Sequence, residues 1–151
     1  MKKIMNKKGF TLVEILLVVV IVAILAAVVI VAINPGRQIA QTNNTQRASD
    51  VKTILDAAHE YAIDNRGAFP AGLGAVAATI GDDVVGGQVD ICALLVPTYI
   101  AGMPFDPTVN GTGYASCADY NTGYTIALDA NSRVTVAAPG AELNATISVT
   151  R

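Results

Sequence analysis

The sequence contains few of the side chains that enzymes use for chemistry. Among its 151 residues there are one histidine and two cysteines. His59 and Glu60 begin the His-Glu-x-x-His pattern of zinc proteases, but Ile63 stands where the second histidine is needed, so the motif fails. The two cysteines, Cys92 and Cys117, do not make a zinc site by themselves. We therefore predict no catalytic residue, no metal site and no enzymatic activity, and we expect His59 on a helix surface.

Basic residues are also scarce once the first nine positions are set aside. The whole chain has 10 Lys and Arg against 12 Asp and Glu, a net charge of −2. Lys2, Lys3, Lys7 and Lys8 precede Gly9, and without them six basic residues face twelve acidic ones, a net charge of −6. Such an acidic chain is a poor bulk binder of nucleic acid, so no nucleic-acid partner is predicted. Aromatic residues make up only 5% of the chain, which argues against electron conduction.

A long apolar run dominates the N-terminal part of the chain. Nineteen consecutive apolar residues extend from Ile15 to Ile33, and counted from Phe10 the run has 24 residues and one charge, Glu14. As a helix, such a run spans about 36 Å, which is sufficient to cross a hydrocarbon core of about 30 Å. Four lysines precede the run, whereas only Arg37 and Arg47 follow soon after it. This bias predicts a single-pass anchor in the cytoplasmic (inner) membrane, with the N-terminus inside and the C-terminus outside.

Two other interpretations of the run stay open. An ordinary secretory signal would have a shorter apolar region of about 7–15 residues and then a small-residue cleavage site, which Ala23 to Ala27 mimics. Alternatively, Glu14 is a carboxylate that reaches the membrane surface from near a helix end. A charge inside a membrane-spanning segment is nonetheless costly and marks a functional site by default. In a continuous helix, Glu14 would share a face with Phe10, four residues earlier.

The residues around this carboxylate resemble a known processing site. The Gly-Phe-Thr-Leu-Val-Glu string from Gly9 to Glu14, followed by the apolar run, is similar to the class III leader junction of type IV prepilins and type II secretion pseudopilins. The resemblance implies that a prepilin peptidase cleaves after Gly9 and N-methylates Phe10. It also implies that Glu14 pairs with the N-terminal amine of a neighbouring subunit. An inner-membrane assembly platform would then move subunits from the membrane lipid into an extracytoplasmic filament.

The remainder of the chain predicts an α+β, pilin-like fold. Apolar residues return at helical spacing after residue 50, which indicates the amphipathic second half of a long helix. They are Val51, Ile54, Leu55, Ala58, Tyr61 and Ala62. At Asn34-Pro35 this helix either breaks and restarts or continues with a kink. Two apolar segments around a turn at 129–132, and the alternation over 143–150, predict a small C-terminal antiparallel sheet packed on the helix.

These patterns divide the chain into four predicted parts. They are a prepilin leader at 1–9, a transmembrane and filament-core helix at 10–33, its amphipathic continuation at 34–66, and a small β-rich head at 67–151.

Cys92 and Cys117 both fall in the part predicted to lie outside, where disulfides persist. We predict a bridge between them, worth roughly 3–4 kcal/mol by the loop-entropy model. The alternative is two unpaired buried thiols. Met103 to Pro107 resembles the Pro-x-Asp-Pro loop of pseudopilins, and Asp129 to Ser132 stands roughly where their calcium-binding segment would fall. That segment has no clear match, so we expect no cofactor and leave calcium open.

The predicted function is that of a structural subunit of a type IV pilus or pseudopilus. The alternatives are a membrane-anchored extracytoplasmic binding module and an enzyme with an uncleaved anchor. The sequence does not distinguish a pilus from a secretion pseudopilus, a major from a minor subunit, or a start at Met1 from a start at Met5.

Overall fold

The N-terminal apolar run is helical. The computed structural model describes residues 9–151, and of residues 31–33 it describes the backbone alone. Helix α1 spans Leu12–Ile33, and its side chains are exposed as far as Ile30. The stretch Leu12–Ile30 has the length and composition of a membrane span. Residues 1–8 of the predicted leader lie outside the described residues.

Helix α1 ends at Asn34, and helix α2 (Pro35–Asp64) begins at the next residue. Asn34 has φ 50° and ψ 77°, a left-handed conformation that asparagine tolerates better than most residues. Its carbonyl and its Oδ1 both accept from the Arg37 N–H, at 3.1 and 3.3 Å. Pro35 suits the first helical position because the N–H that it lacks has no helical acceptor there. Of the two alternatives left open by the sequence, the chain therefore has the break.

The described chain forms two compact units, whose boundary falls between Gln38 and Ile39. Within the second unit, five strands form one antiparallel sheet in the order β1-β3-β4-β5, and β2 also pairs with β3. The strands are β1 (Ala78–Gly81), β2 (Gly113–Ser116), β3 (Asp119–Leu128), β4 (Val134–Ala137) and β5 (Ser148–Thr150), and the short helix α3 is Cys92–Leu95. The predicted α+β layout, with a long apolar helix and a small antiparallel sheet, is confirmed.

The core of the second unit lies between α2 and the sheet. Helix α2 contributes Val51, Ile54 and Leu55, each at most 1% exposed, and these pack in one cluster with Tyr124 and Ile126 of β3. Alternate residues of β3 are buried, as expected for a strand with one face on a core. Fully burying an aliphatic side chain of this size contributes roughly 1.5–3 kcal/mol. The apolar stripe predicted on α2 is therefore the surface that holds the sheet.

The sheet differs from the prediction in two places. The alternation over residues 143–150 forms a strand only at Ser148–Thr150. Leu143 and Asn144 have φ of 58° and 54°, values that residues of an extended strand do not have. The chain leaves the strand conformation here because Glu142 forms hydrogen bonds with Asn43 and Asn44 of α2. Strands β1 and β2 were not predicted, since the glycine-rich sequence around them lacks the alternating pattern of a strand.

Candidate functional site

The junction at the start of α1 is held by hydrogen bonds between Thr11 and Glu14. Thr11 is the N-cap residue, and its Oγ1 accepts from the Glu14 N–H at 3.2 Å. In return, Glu14 Oε2 accepts from the Thr11 N–H at 2.8 Å and from the Thr11 hydroxyl at 2.9 Å. This reciprocal pattern is a capping box, in which the side chains at N-cap and N3 satisfy each other's backbone donors. Glu14 is therefore fixed at the N-terminus of its own helix.

The peptide bond predicted to be cleaved lies before this capping box. Gly9 and Phe10 precede the N-cap residue, and both are exposed, with Phe10 84% exposed. Because α1 begins at Leu12, Phe10 lies outside the helix, so the condition under which Phe10 and Glu14 would share a helical face is not met. A cleaved chain would carry its new ammonium one residue before Thr11, so the capping box contains only groups that cleavage leaves in place.

A second charged group, absent from the predicted site, lies inside the second unit. Arg47 of α2 is fully buried, and its guanidinium contacts the fully buried carboxylate of Asp106. Arg47 Nε donates to Asp106 Oδ2 at 2.6 Å, and Nη2 donates to Oδ1 at 3.0 Å, so the pair is bidentate. Nη1 donates to Asn44 Oδ1 and to Glu142 Oε2, both at 2.9 Å, and Nη2 also donates to Thr108 Oγ1. All five guanidinium N–H groups thus have an acceptor.

The two carboxylates bound to Arg47 are stabilised in their charged form. Burial alone would raise the pKa of Asp106, but the hydrogen bonds from Arg47 and from the backbone of Thr108 and Val109 lower it overall. Hydrogen bonds from Arg47, and then from Asn43, lower the pKa of Glu142. Hydrogen bonds to a carboxylate favour its ionised form. The network is therefore ionic at neutral pH.

A glycine allows the Asp106 loop to approach the C-terminal loop. A Cβ at Gly140 would lie 2.6 Å from Val109 Cγ2 and 2.8 Å from Asp106 Oδ2, distances shorter than Cβ atoms show in real structures. Sequence reasoning missed this network because its partners are far apart in the chain. One signal was present: Arg47 lies four residues before Val51, so it continues the buried stripe of α2 toward the N-terminus.

The two cysteines are joined in a disulfide. Cys92, at the start of α3, and Cys117, in the turn between β2 and β3, have Cα atoms 5.3 Å apart. Beside them, the Tyr120 hydroxyl donates to Asp90 Oδ1 at 2.8 Å and accepts from the Ile91 and Cys92 N–H groups at 3.2 and 3.3 Å. Burial, followed by the bond to Asp90, raises the pKa of this phenol. The bridge therefore joins the start of α3 to the turn between β2 and β3, while Tyr120 of β3 holds the segment just before α3.

The carboxylates near the positions considered for calcium already have partners. Asp129 Oδ1 accepts from the Asn131 and Arg133 N–H groups at 2.8 and 2.9 Å, and Oδ2 accepts from Arg133 Nε at 2.9 Å. Both oxygens of Asp106 are likewise bound by Arg47. Across residues 9–151, no group of three or more His, Cys, Asp or Glu side chains has the arrangement of a metal site. Asp129 acts here as the cap of the β3–β4 turn.

His59 is more enclosed than expected. Its ring meets Phe69 edge-on with centroids 5.3 Å apart, and its Nε2 is buried without a hydrogen-bond partner among the described residues. His59 thus lies on α2 as expected but is only partly exposed, because Phe69 from the segment after α2 packs against its ring.

Comparison with known proteins identifies the N-terminal region. The family model of the prokaryotic N-terminal methylation motif matches residues 4–30, which include the Gly9–Phe10 junction, the capping box and most of α1. No curated protein and no solved structure shows significant similarity to the chain. Residues 4–30 therefore carry the class III signal of type IV pilins and pseudopilins, which supports a pilin-like or pseudopilin precursor.

Proposed function

We propose that the chain is the precursor of a filament subunit of the type IV pilus or pseudopilus kind. In this proposal a prepilin peptidase cleaves after Gly9 and methylates the amine of Phe10. The observation that carries the proposal is the methylation motif at 4–30, placed on a helix whose apolar side chains are exposed through Ile30. Such a helix requires an apolar environment from outside the chain, and either lipid or copies of the same helix can supply it.

Glu14 is proposed as the group that selects the neighbour. Its Oε2 is bound by Thr11, whereas Oε1 has no hydrogen-bond partner in the part of the chain that the structure describes. A carboxylate with an unfilled oxygen in hydrocarbon favours any subunit that brings a cation, since an unpaired charge there costs several kcal/mol. The ammonium of a cleaved Phe10 on a neighbouring subunit is such a cation. The pairing sets the axial position of one subunit against the next.

The proposed partners follow from this route. The precursor would lie in the inner membrane with α1 across it and the second unit outside, and an inner-membrane platform would pass processed subunits into the filament. The disulfide between Cys92 and Cys117 suits a head exposed to an oxidising compartment. Whether the filament is a pilus or a secretion pseudopilus depends on the assembly machinery, and both assign the same roles to Gly9, Phe10 and Glu14.

Mass spectrometry of the mature N-terminus tests the proposal. We expect a chain that begins at N-methylated Phe10 and is recovered in filaments sheared from the cell surface. A mature chain beginning at Met1, or after Ala26 or Ala27, would refute processing at Gly9. An uncleaved chain that stays in the membrane would support the anchored binding module or enzyme instead.

A further inference from the structure

The two halves of α2 are attached to the rest of their unit by different forces. From Val51 onward the buried residues of α2 are apolar and belong to the hydrophobic core. In the preceding part that belongs to this unit, residues 39–50, the buried residues are Ala40 and Arg47. Loops that cover this first half are therefore held mainly by polar contacts, which are directional, whereas apolar contacts allow neighbouring positions at similar free energy.

Two loops meet on this first half through one set of side chains, which we call the Arg47 clasp: Asn43, Asn44, Arg47, Asp106 and Glu142. Asn44 and Glu142 exchange bonds, since Asn44 Nδ2 donates to the Glu142 carbonyl at 2.8 Å and the Glu142 N–H donates to Asn44 Oδ1 at 2.9 Å. Asn43 Nδ2 donates to Glu142 Oε2 at 2.9 Å. Together with the bonds of Arg47, these contacts fix the 105–109 loop and the 139–145 loop on α2.

The clasp adds little to the free energy of unfolding, but it fixes the orientation of the two loops on α2. Replacing a buried ion pair by apolar residues of similar volume is often neutral or stabilising, because desolvation offsets most of the attraction. The bidentate fork of an arginine nevertheless fixes its partners in one orientation. Three exposed apolar side chains lie on the loops so fixed: Phe105, Val109 and Leu143, at 41%, 39% and 50% exposure.

The apolar surface of helix α1 does not determine how one subunit is oriented against the next in the proposed filament. Apart from Glu14, its side chains are apolar, and those described, as far as Ile30, are exposed all round, so they give one rotation about the helix axis little preference over another. The proposed Glu14 pairing sets the axial position at one point only, so further directional contacts for packing have to come from the second unit. We propose that Arg47 is a positioning residue for assembly: the clasp holds the 105–109 and 139–145 loops in the one arrangement that a second copy of the chain contacts in the filament. The inference rests on the proposed function.

A double variant without the buried ion pair distinguishes the positioning of the two loops from the stability of the second unit. Arg47→Met with Asp106→Leu removes both buried charges, so neither is left unpaired. We expect the full-length double variant in detergent micelles to keep a melting temperature within a few degrees of wild type. We also expect it to be processed normally and to yield at least tenfold fewer sheared filaments at matched levels of processed subunit. The matched control is Arg151→Met with Asp56→Leu, an exposed pair that also joins α2 to the C-terminal segment and should leave filament yield unchanged.

Each outcome decides the inference. A stable double variant that assembles normally overturns it. If the double variant is destabilised, Val136→Ala provides a core variant to be compared with it at equal melting temperature. Equal loss of filaments in the two variants would show that the clasp only stabilises, whereas a selective loss in the clasp variant supports positioning. Wild-type chains that are processed but never form filaments would overturn the proposed function itself.

The accessibility of an introduced thiol tests the proposed contact by a measurement that does not depend on stability alone. In Leu143→Cys, the introduced thiol should react with a maleimide readily in micelles and at least tenfold more slowly in filaments. Ala130→Cys, in the exposed turn after β3, is the control for general crowding. Equal protection of both thiols, or of neither, would contradict a specific contact at the 139–145 loop.

Discussion

Each unit of the chain contains a charged side chain that is held by hydrogen bonds, and the two groups find their partners in opposite ways. Glu14 is bound by Thr11, three residues away, and is otherwise exposed. Arg47 is fully buried, and its carboxylate partners Asp106 and Glu142 lie 59 and 95 residues further along the chain. The local arrangement leaves an acceptor available to another molecule. The long-range arrangement fills every donor and closes the group to outside partners.

This difference matches what the rest of each unit requires. Helix α1 exposes its apolar side chains as far as Ile30, and none of the residues described in its own unit buries them. The second unit buries its apolar stripe against its own sheet. A charge that selects a neighbour belongs in the first kind of unit, and a charge that fixes internal geometry belongs in the second.

The largest effect is expected from Glu14→Val. Processing and membrane insertion should persist, because the substitution makes the anchor more apolar. Filament yield at matched levels of processed subunit should fall at least tenfold, since losing about 1.4 kcal/mol of subunit contact is already a factor of ten. Glu14→Gln should be intermediate at best, because an amide accepts a hydrogen bond without a charge. Normal filaments from Glu14→Val would show that this carboxylate does not select the neighbour.

The single substitution Arg47→Met should destabilise the second unit severely. It leaves Asp106 buried without its counter-charge, which costs about 3–5 kcal/mol for a pair of this kind. The measurement is denaturant unfolding of the full-length chain in micelles. Arg151→Met, which removes one partner of an exposed pair, should cost about 0–1 kcal/mol. Similar costs for the two variants would contradict the closed, buried character assigned to Arg47.

Loss of the disulfide should come next. Cys92→Ser with Cys117→Ser removes a link across a sequence separation of 25 residues. The loop-entropy model gives a loss of about 3–4 kcal/mol. Because the disulfide lies in the second unit, the N-terminal processing site should still be cleaved at Gly9. Non-reducing peptide mapping of the wild-type chain should find Cys92 joined to Cys117, and two free thiols in freshly isolated protein would contradict the bridge.

The same contrast explains how far the sequence could predict the structure. The methylation motif from Gly9 to Glu14 could be recognised in the sequence because its residues lie within a few positions of one another and the apolar run behind it is unbroken. The stripe from Val51 to Ala62 was predictable because helical periodicity is local. The β3–β4 hairpin also has its turn and both strands in one short segment.

The clasp and the short strands could not be predicted in this way. The partners of Arg47 come from loops whose approach depends on the finished fold, and Gly140 matters only once Asp106 lies beside it. The alternation over 143–150 has the pattern of a strand, but the bonds of Glu142 to Asn43, Asn44 and Arg47 outweigh that local preference. Tertiary contacts decide such segments.

Acid should weaken the second unit through the clasp. The pKa values of Asp106 and Glu142 are lowered below their ordinary values of 3.8 and 4.5, so their stabilisation is present above those values and is lost as the pH falls through the lowered ones. Asp50 acts in the opposite direction, because burial raises its pKa and protonation then favours the folded state. We expect the denaturant midpoint to fall as the pH drops below 4.5 and through the lowered pKa values of the two carboxylates. Glu142→Gln should flatten this dependence, and an unchanged profile would contradict its share in the clasp.

The smallest effect, and the sharpest test of the local arrangement, is expected from Thr11→Ala. The substitution removes the hydroxyl that donates to Glu14 Oε2 and that accepts from the Glu14 N–H, so the first turn of α1 loses its cap. Losing an N-cap threonine typically costs about 1 kcal/mol. If the capping box presents Glu14 to a neighbour, filament yield should fall a few-fold while cleavage at Gly9 continues. Thr11→Ser keeps the hydroxyl and should restore the yield. Equal yields from Thr11→Ala and Thr11→Ser would show that Glu14 finds its partner without help from its own helix terminus.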